Sequence, residues 1–310
     1  MHRGTLLGAA GLAGVAGIGA WAYLTAPAFW KMYAEDLKRN VAAPPIEPDP
    51  RLWSHRGIHA AWMGHTTVLL QIDGFSILTD PVFSRRIGID LGLFTLGIKR
   101  LVDPAMPLEL LPKPDLILLS HAHFDHFDVP SLRALEDRGT TVVTAPKTSD
   151  LLRPRKWAAV KELAWDQRFR VGPAEVRAFE VNHWGARMRS DMYRGFNGYT
   201  VEVGRYRVLF GGDTAMTRSF RNLKSSRPYD LAIMPVGAYN PWIRFHCTPE
   251  QAWQMAEDAG AEFFLPVHHQ TFKLSREPYL EPIERVNNMA GNHPHRIALQ
   301  RIGQEFRIHS

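Results

Sequence analysis

Three histidines and one aspartate occupy residues 121–126 in the order His-x-His-x-Asp-His. Imidazole and carboxylate groups bind metal ions, and side chains two residues apart point to different sides of an α-helix. His121 and His123 can therefore reach one ion only from an extended or looped segment. Four such groups exceed the three protein ligands of a catalytic zinc, which keeps one position open. The spacing predicts two metal ions, or one ion beside a general base.

Further ligand-type residues follow strand-like runs downstream. They are His183 in VNHWGAR, Asp213 in FGGDT, and the neighbours His268 and His269 in LPVHHQTF. Each of these residues alone is more often structural than functional. Combined with residues 121–126, they predict one shared site at the carboxyl ends of strands, the usual ligand position in α/β sheets.

Strand-like and helix-like runs alternate along the chain and must position these residues. Residues 66–72 and 75–79 predict two strands joined by Asp-Gly, a dipeptide typical of tight hairpins. Residues 115–120 predict a buried strand that leads into the histidine cluster. A helix is expected at 249–258 and a further strand at 296–301. The pattern indicates a mixed α/β protein whose polar clusters follow strands.

Composition narrows the function classes. The chain has 310 residues, of which 45% are hydrophobic, enough for a large core. The single cysteine, Cys247, excludes an intramolecular disulfide and a Cys-rich zinc site. The net charge of +6 is spread over the chain without a basic run, so no nucleic acid partner is expected. Anionic lipids or phosphate substrates suit this charge.

Residues 5–30 contain no charged side chain and follow the basic Arg3. The run exceeds the roughly 20 apolar residues that span a bilayer, and aromatic residues stand where an interfacial belt would lie. A cleaved signal peptide is the alternative, because residues 26–28 are Ala-Pro-Ala, a loose match to a cleavage site. The run is longer than a signal core, so an uncleaved membrane anchor is favoured.

The predicted organisation has three parts. Residues 1–31 are the membrane anchor or signal segment, 32–54 a linker, and 55–310 the catalytic domain. We expect a protein anchored in a bacterial inner membrane. Basic residues flank both ends of the apolar run, so charge barely orients it, with a lean toward the periplasm. Cleavage would instead give a secreted or periplasmic protein.

The ordered motifs resemble the metallo-β-lactamase superfamily, whose signature stands at residues 121–126. The resemblance implies a four-layer αβ/βα sandwich of the α/β class, here preceded by an N-terminal hydrophobic helix. It also implies two metal ions: three residues bind one, three bind the other, and a carboxylate bridges them. In that order the residues are His121, His123 and His183, then Asp125, His126 and His268, then Asp213, with His269 as the alternative to His268. Nitrogen and oxygen donors favour zinc, and iron or manganese are also compatible.

Other stretches narrow the resemblance to one branch. They are MGHTTVLLQIDGFSILTDPVFSRR at 63–86, HWGAR from His183, VGAYNP at 236–241 and HCTPEQA at 246–252. These stretches look like N-acylphosphatidylethanolamine-hydrolysing phospholipase D, which releases phosphatidic acid and an N-acylethanolamine from a membrane lipid. The resemblance implies a phosphodiesterase that uses a hydroxide bridging the metals. The alternative is a lactonase or another ester hydrolase, as in the neighbouring ascorbate-phosphate lactonase-like branch.

Residues other than the predicted ligands receive roles from the resemblance and from their chemistry. The predicted catalytic residues are Asp125, Asp213 and His246. His246 is expected to protonate the leaving alkoxide, with a surface histidine as the alternative. Arg187 is a candidate phosphate-binding residue, with a solvated arginine as the alternative. His65 is a candidate substrate-binding residue or, like Asp80, an outer residue that orients a ligating imidazole.

Residues 86–111 are rich in apolar side chains. They predict a half-buried strand or helix over the core, or alternatively a lipid-facing flap or acyl-chain groove beside the metals. The expected partner is a membrane phospholipid, with association through residues 5–30, and the sequence leaves a homodimer open. A diiron redox protein and a non-catalytic membrane-tethered module are the remaining function classes, and the complete ligand set argues against the second.

Overall fold

The computed structural model describes residues 27–309. It divides into two units, with the boundary between Asn40 and Val41. The first unit contains helix α1 (Pro27–Lys38). The predicted hydrophobic helix within residues 5–30 lies outside the described residues, apart from 27–30. Among the helices of the described residues, none combines the length and apolarity needed to cross a membrane.

The first sheet of the second unit is mixed. It contains β1 (Ile58–Gly64), β2 (Thr67–Ile72), β3 (Phe75–Thr79), β6 (Leu116–Leu119), β7 (Thr141–Thr144), β8 (Ala159–Glu162) and β15 (Glu305–Ile308). The spatial order is β15-β1-β2-β3-β6-β7-β8, antiparallel as far as β3 and parallel beyond it. The predicted hairpin is confirmed, because Ile72 pairs with Phe75 across Asp73 and Gly74, whose φ angles are +47° and +84°.

The second sheet is also mixed. It contains β9 (Arg168–Val171), β10 (Ala174–Phe179), β11 (Gly198–Val203), β12 (Tyr206–Phe210), β13 (Tyr229–Pro235) and β14 (Ala261–Val267). The spatial order is β14-β13-β12-β11-β10-β9, with β12, β13 and β14 parallel and the remaining pairs antiparallel. The parallel strands β6, β12 and β14 precede six of the seven predicted ligands, and His183 follows the antiparallel strand β10.

Three helices accompany the sheets: α2 (Val129–Ala134), α3 (Pro249–Ala259) and α4 (Glu281–Ala290). The predicted helix at 249–258 is confirmed as α3. Thr248 caps it by accepting a hydrogen bond from the backbone N–H of Gln251, and it ends at Gly260, whose φ is +79°. A glycine tolerates this left-handed conformation, which stops the helix before β14 begins.

Alternation along β13 shows how the core is layered. Leu231 and Ile233 pack in the cluster between the two sheets, whereas Ala232 and Met234 pack in a second cluster with residues of α3 and α4. Successive side chains of a strand point to opposite faces, so each face of the second sheet is covered. The predicted α/β class is confirmed.

The predicted strand at 296–301 is wrong. The chain there makes a 3-10 turn, Pro294–Arg296, and touches β14 through a bridge between Phe264 and Ile297. Pro294 fixes its own φ and has no N–H to donate, so it favours a turn over a paired strand. Residues 297–299, whose apolar side chains suggested a strand, are buried, but 298–300 form no regular secondary structure.

Residues 86–99 form a separate hairpin of β4 (Arg86–Asp90) and β5 (Thr95–Lys99). Its base is half-buried, because Ile87 packs with Val82 and Phe272. Its tip is exposed, with Leu93 98% accessible to solvent. The segment therefore combines the core-covering strand and the protruding flap that the sequence offered as alternatives.

The two sheets meet where Ser120 follows β6 and Gly212 follows β12. Asn197 donates its backbone N–H to the Ser120 carbonyl at 2.9 Å. Gly212 has a φ of +56°, and a β-carbon there would lie 2.7 Å from the Ser120 β-carbon. Only glycine accommodates both demands, and the close approach brings His121 beside Asp213.

Candidate metal centre

The seven predicted ligands converge at the carboxyl ends of β6, β12 and β14 and at the loop after β10. Each belongs to at least one group of donors whose ligand atoms all lie within 4.8 Å of one another. We call one set of three the histidine half: His121, His123 and His183. We call the other the mixed half: Asp125, His126 and His268. Asp213 lies between them.

The histidine half is built from facing imidazoles. His121 Nε2 lies 2.8 Å from His123 Nδ1, and His183 Nε2 lies 3.3 Å from that same atom. The loop after β6 provides the first two residues, and the loop after β10 provides the third. The extended geometry predicted for His121 and His123 is therefore what lets both side chains face one point.

The mixed half is centred on a carboxylate oxygen. Asp125 Oδ2 lies 3.4 Å from His268 Nε2 and 3.6 Å from His126 Nε2. His65 Nε2 approaches the same oxygen at 3.0 Å. His65 thus belongs to the group of donors on this side, together with the three predicted ligands.

Asp213 faces both halves. Its Oδ2 lies 3.1 Å from His126 Nε2 and 3.2 Å from His268 Nε2, and 3.8 Å from His183 Nε2. His121 Nε2 is 4.0 Å away. Both carboxylate oxygens are buried and form no hydrogen bond. Because a buried charge without hydrogen bonds is costly, this carboxylate suits a position between two cations.

Burial keeps the histidine half neutral. Removal from water lowers the pKa of His123 to about 4 and lowers that of His121 and His183 well below the usual value. Neighbouring histidines add to the decrease for His121 and His183, while Asp213 opposes it. Neutral imidazole is the form that binds metal ions, so this half needs no proton loss at neutral pH.

The mixed half behaves in the opposite way. Burial alone would lower the pKa of His126 and His268, but Asp213 and Asp125 outweigh it. The pKa of His268 rises to about 9, and that of His126 rises well above its usual value. Burial raises the pKa of both aspartates, yet the facing histidines bring it well below the usual value. Without a bound cation, His126 and His268 are therefore protonated at neutral pH, and Asp125 and Asp213 are ionised.

Outer contacts fix the orientation of the imidazoles. Asp80, which the sequence placed behind a ligand, accepts hydrogen bonds from His126 Nδ1 at 2.7 Å and from Ser120 Oγ at 2.5 Å. Ser120 Oγ in turn lies 2.9 Å from His121 Nδ1. Asp80 therefore touches the mixed half directly and the histidine half through Ser120. Such outer partners set the tautomer and ring position of a ligand.

Two further outer contacts involve backbone groups. His183 Nδ1 lies 2.8 Å from the Phe245 carbonyl, a partner that sequence reasoning missed because a carbonyl has no residue signature. Thr271 Oγ1 accepts a hydrogen bond from the His65 backbone N–H at 2.6 Å. His65, Asp80 and His268 adopt left-handed φ angles of +52°, +30° and +65°. The site therefore depends on unusual backbone at three positions.

His65 lies behind the mixed half. It is 1% exposed and its ring centroid is 4.2 Å from that of His268. Burial lowers its pKa to about 3, so the ring is neutral at pH 7. This position suits the orienting role that the sequence offered for His65, through contact with Asp125.

Arg187 contacts the metal loop. Its Nη1 donates to the carbonyls of Phe127 at 2.7 Å and Ala122 at 3.2 Å, and its guanidinium lies 4.0 Å from the Phe124 ring centroid. Burial lowers its pKa to about 10, so it stays charged at pH 7. The predicted phosphate-binding residue thus contacts the backbone within the histidine cluster, at Ala122, and directly after it, at Phe127.

His246 lies beside Asp213 and His268. Its Nδ1 is 3.8 Å from Asp213 Oδ2, and these three residues form a donor group of their own. Burial lowers the pKa of His246 to about 4. The geometry suits a histidine that acts at the centre, and the same atom is close enough to bind an ion.

A cavity of about 600 Å³ opens on the His268 side of the centre. Its lining includes His268 and His269 together with apolar side chains such as Leu101, Phe272 and Tyr279. His269, the alternative ligand, is stacked on Trp62 at 4.6 Å and is absent from the described donor groups. The volume is in the range of pockets for small molecules.

Comparison with known proteins identifies the family. A family model described as a beta-lactamase superfamily domain matches residues 76–269. An uncharacterized protein of Mycobacterium tuberculosis is 33% identical over 272 residues, which cover 83% of this chain and 71% of the relative. N-acyl-phosphatidylethanolamine-hydrolyzing phospholipase D 1 of Caenorhabditis elegans is 29% identical over 260 residues, which cover 76% of this chain and 70% of the relative.

A solved structure extends the comparison to the fold. The isothiocyanate hydrolase from Delia radicum gut bacteria matches with a TM-score of 0.65 at 15% identity, over 81% of this chain and all of that one. At this identity the match shows the fold alone. The chain is a metal-dependent hydrolase of the metallo-β-lactamase superfamily, and within it belongs to the branch of sequences similar to N-acylphosphatidylethanolamine-hydrolysing phospholipase D.

Proposed function

We propose that the chain is a dinuclear phosphodiesterase of phospholipase D type that acts on N-acylphosphatidylethanolamine-like membrane phospholipids. One observation carries the proposal. Two sets of three donors face a shared carboxylate, Asp213, with a further histidine, His246, 3.8 Å from that carboxylate. The worm phospholipase named above adds the substrate class, because its sequence is similar over most of its length.

The chain's donors fit two ions. The histidine half would hold one, the mixed half the other, and Asp213 would contact both. When bound, such ions lower the pKa of a coordinated water toward neutrality and offset negative charge on a phosphate. The nitrogen and oxygen donors suit zinc, with iron or manganese as alternatives.

His246 is proposed as the general acid. Burial holds the pKa of His246 near 4. The negative charge of a bound phosphodiester would raise that pKa, which favours the protonated ring that a leaving alkoxide needs. The neighbouring Cys247 is buried and donates its thiol to the Pro235 carbonyl at 3.3 Å, so the backbone that carries His246 is anchored.

Arg187 and His65 are proposed to position ligands. Arg187 fixes the loop of residues 121–127 through the carbonyls of Ala122 and Phe127, and its charge adds to the positive field at the centre. His65 fixes the Asp125 carboxylate, which faces His126 and His268. A phosphate contact by Arg187 would require its other nitrogen atoms.

The cavity is proposed to hold an apolar part of the substrate. Leu101, Val102, Phe272 and Leu274 line it, and His268 connects it to the centre. A membrane anchor at residues 5–30, a periplasmic position and a homodimer belong to the same proposal, and a phospholipid is its partner. An anchored enzyme would meet its lipid without leaving the bilayer.

The deciding experiment is product analysis by mass spectrometry. Full-length, metal-loaded protein is incubated in H₂¹⁸O with an N-acylphosphatidylethanolamine, phosphatidylcholine and an acyl lactone. We expect phosphatidic acid carrying one ¹⁸O and an N-acylethanolamine carrying none, because attack at phosphorus puts the water oxygen on the phosphate. Opening of the lactone with intact phospholipids would instead establish the lactonase alternative. The Asp213→Ala variant serves as the control for contaminating lipases.

A further inference from the structure

We infer that three loops around the metal centre form a surface that binds an anionic lipid bilayer. The loops are the hairpin tip at residues 89–94, residues 188–193 and residues 241–245, and we call them the lipid-binding rim. The inference rests on the proposed function, since it states how a membrane substrate reaches the centre.

The hairpin tip exposes large apolar side chains to water, which is energetically unfavourable. Leu93 is 98% exposed, Phe94 55% and Leu91 53%. Asp90 Oδ1 accepts the backbone N–H of Gly92 at 2.8 Å, so the tip is an ordered turn. A turn that presents three large apolar side chains to water is typical of a binding surface.

The other two loops repeat this pattern. Residues 241–245 read Pro-Trp-Ile-Arg-Phe, and Trp242, Ile243 and Phe245 are exposed. In residues 188–193, Met188, Met192 and Tyr193 are exposed. Trp and Tyr are the side chains that prefer the boundary between headgroups and acyl chains.

Specific contacts tie each loop to the metal centre. The Phe245 carbonyl lies 2.8 Å from His183 Nδ1. The hairpin base packs against Phe272, and Phe124 of the metal loop packs against the same cluster. The loop at 188–193 follows Arg187, which covers Phe124. Each of the three loops is therefore linked to the centre by direct contacts or through its neighbouring residues.

The charges of the rim favour an anionic bilayer over another protein. Arg189 and Arg244 are exposed and stand among the apolar side chains of the rim, and Arg85, just before the hairpin base, is also exposed. Asp90 is exposed, whereas Asp191 is buried and accepts a hydrogen bond from Arg194 at 2.7 Å. Basic side chains among apolar and aromatic ones match a surface of negative headgroups above acyl chains.

Site-directed fluorescence tests the rim in the full-length chain. An environment-sensitive dye is attached to Leu93→Cys or Ile243→Cys, and vesicles of phosphatidylcholine with one quarter phosphatidylglycerol are added. The native Cys247 is 1% exposed and does not compete for the dye. Any binding by residues 5–30 brings every labelled variant to the vesicle equally, so the comparison between positions reports the rim.

Leu52→Cys is the matched control. Leu52 is 82% exposed, and the next residue, Trp53, stacks on His59 at the start of β1. His65 follows the other end of that seven-residue strand, roughly 20 Å away. We expect a blue shift and at least about a twofold intensity gain at positions 93 and 243, and no change at position 52. Replacement of phosphatidylglycerol by phosphatidylcholine should reduce the shift.

The outcomes separate the rim from the proposed function. A dye that stays in a water-like environment at position 93, or an equal shift at position 52, would overturn the rim even if phospholipid is hydrolysed. A shift at 93 and 243 without phosphodiester hydrolysis would support the rim and remove the proposed function. Combined Leu93→Ser and Phe94→Ser should lower turnover of vesicle lipid by about tenfold more than turnover of a soluble short-chain diester. Leu52→Ser should change neither.

Discussion

The histidine half and the mixed half contain the same number of donors but carry opposite charge preferences. Burial makes the three imidazoles of the histidine half neutral, with the pKa of His123 near 4. In the mixed half two aspartates raise the pKa of His268 to about 9. The first half is ready for a cation at neutral pH, whereas the second holds protons that a cation must displace.

The difference comes from what surrounds each half. The nearest outer partners of the histidine half are neutral, namely Ser120 and the Phe245 carbonyl. The mixed half contains Asp125 and has Asp80 behind His126. Two ions bound at one centre can thus differ in affinity and in pH dependence, although Asp213 is common to both.

Loss of Asp213 should have the largest effect, because it removes what the halves share. Asp213→Ala should lower the metal content from two ions per chain to below one and abolish phospholipid turnover. Elemental analysis of the purified protein measures the first and product formation the second. Asp230→Asn is the control, since this aspartate accepts a hydrogen bond from the Arg207 backbone N–H at 2.7 Å in β13. Two ions retained in Asp213→Ala would contradict the shared role.

Substitution of His246 tests whether this residue acts as a general acid or as a metal ligand. His246→Gln should keep both ions and slow hydrolysis of an alkyl phosphodiester by about 10²- to 10⁴-fold, because the leaving alkoxide loses its proton donor. A nitrophenyl diester needs no proton and should lose far less. Turnover of both substrates and metal content are measured together. Equal losses would leave only a positioning role, and a lost ion would make His246 a ligand.

His65 should affect the mixed half alone. His65→Ala removes the contact with Asp125 and should weaken binding of one ion by about 10- to 100-fold while the other is unchanged. His59→Gln is the control, because His59 is buried at the start of β1 and contacts Ser54 Oγ at 3.0 Å. Metal titration followed by calorimetry resolves the two affinities. Equal weakening of both ions would break the distinction between the halves.

The two halves should also differ in how their metal affinity depends on pH. The raised pKa values of His126 and His268 mean that both carry a proton at pH 7 without metal. Because a bound ion must displace two protons, the affinity of the mixed half should rise by up to about a hundredfold per pH unit toward pH 9. The histidine half should show little change above about pH 6.5. Calorimetry in buffers of different ionisation enthalpy counts the released protons. Release of none near pH 7 would contradict the assignment.

The same pKa shifts fix the sign of a stability effect in the metal-free protein. A histidine whose pKa is raised on folding stabilises fully below its unfolded value of about 6.5. That contribution is lost as the pH rises through about 9 for His268. The metal-free protein should therefore unfold at a lower temperature at pH 9 than at pH 7, because His268 loses its proton and with it the ion pairs with Asp213 and Asp125.

The convergence of these seven donors could be predicted from the sequence, because the spacing of residues 121–126 is local and the order of the motifs along the chain is distinctive. Residues 121–126 need no knowledge of the fold to stand out, and the strand before them was visible as an apolar run. Asp80 was found as a candidate for a similar reason. Its link to the histidine half was not predicted, because that link runs through Ser120, an ordinary residue at a strand end.

Long-range contacts were harder to predict. Arg187 was expected at a phosphate, yet its Nη1 contacts carbonyls of a loop 60 to 65 residues away. The edge strand β15 and the wrong strand at 296–301 show the same limit, since pairing with β1 or β14 is decided by partners distant in sequence. Periodicity reports which face is buried, but it does not report which neighbour buries it.

The left-handed backbone at His65, Asp80 and His268 has a consequence for evolution and for engineering. Such residues cost about 1–3 kcal/mol each, and glycine or asparagine would relieve much of that cost. A library selected only for heat resistance should therefore accumulate glycine or asparagine at these three positions, while one selected also for turnover should keep the native residues. Retention of the native residues at these positions would mean that selection for activity outweighs the loss of folding stability.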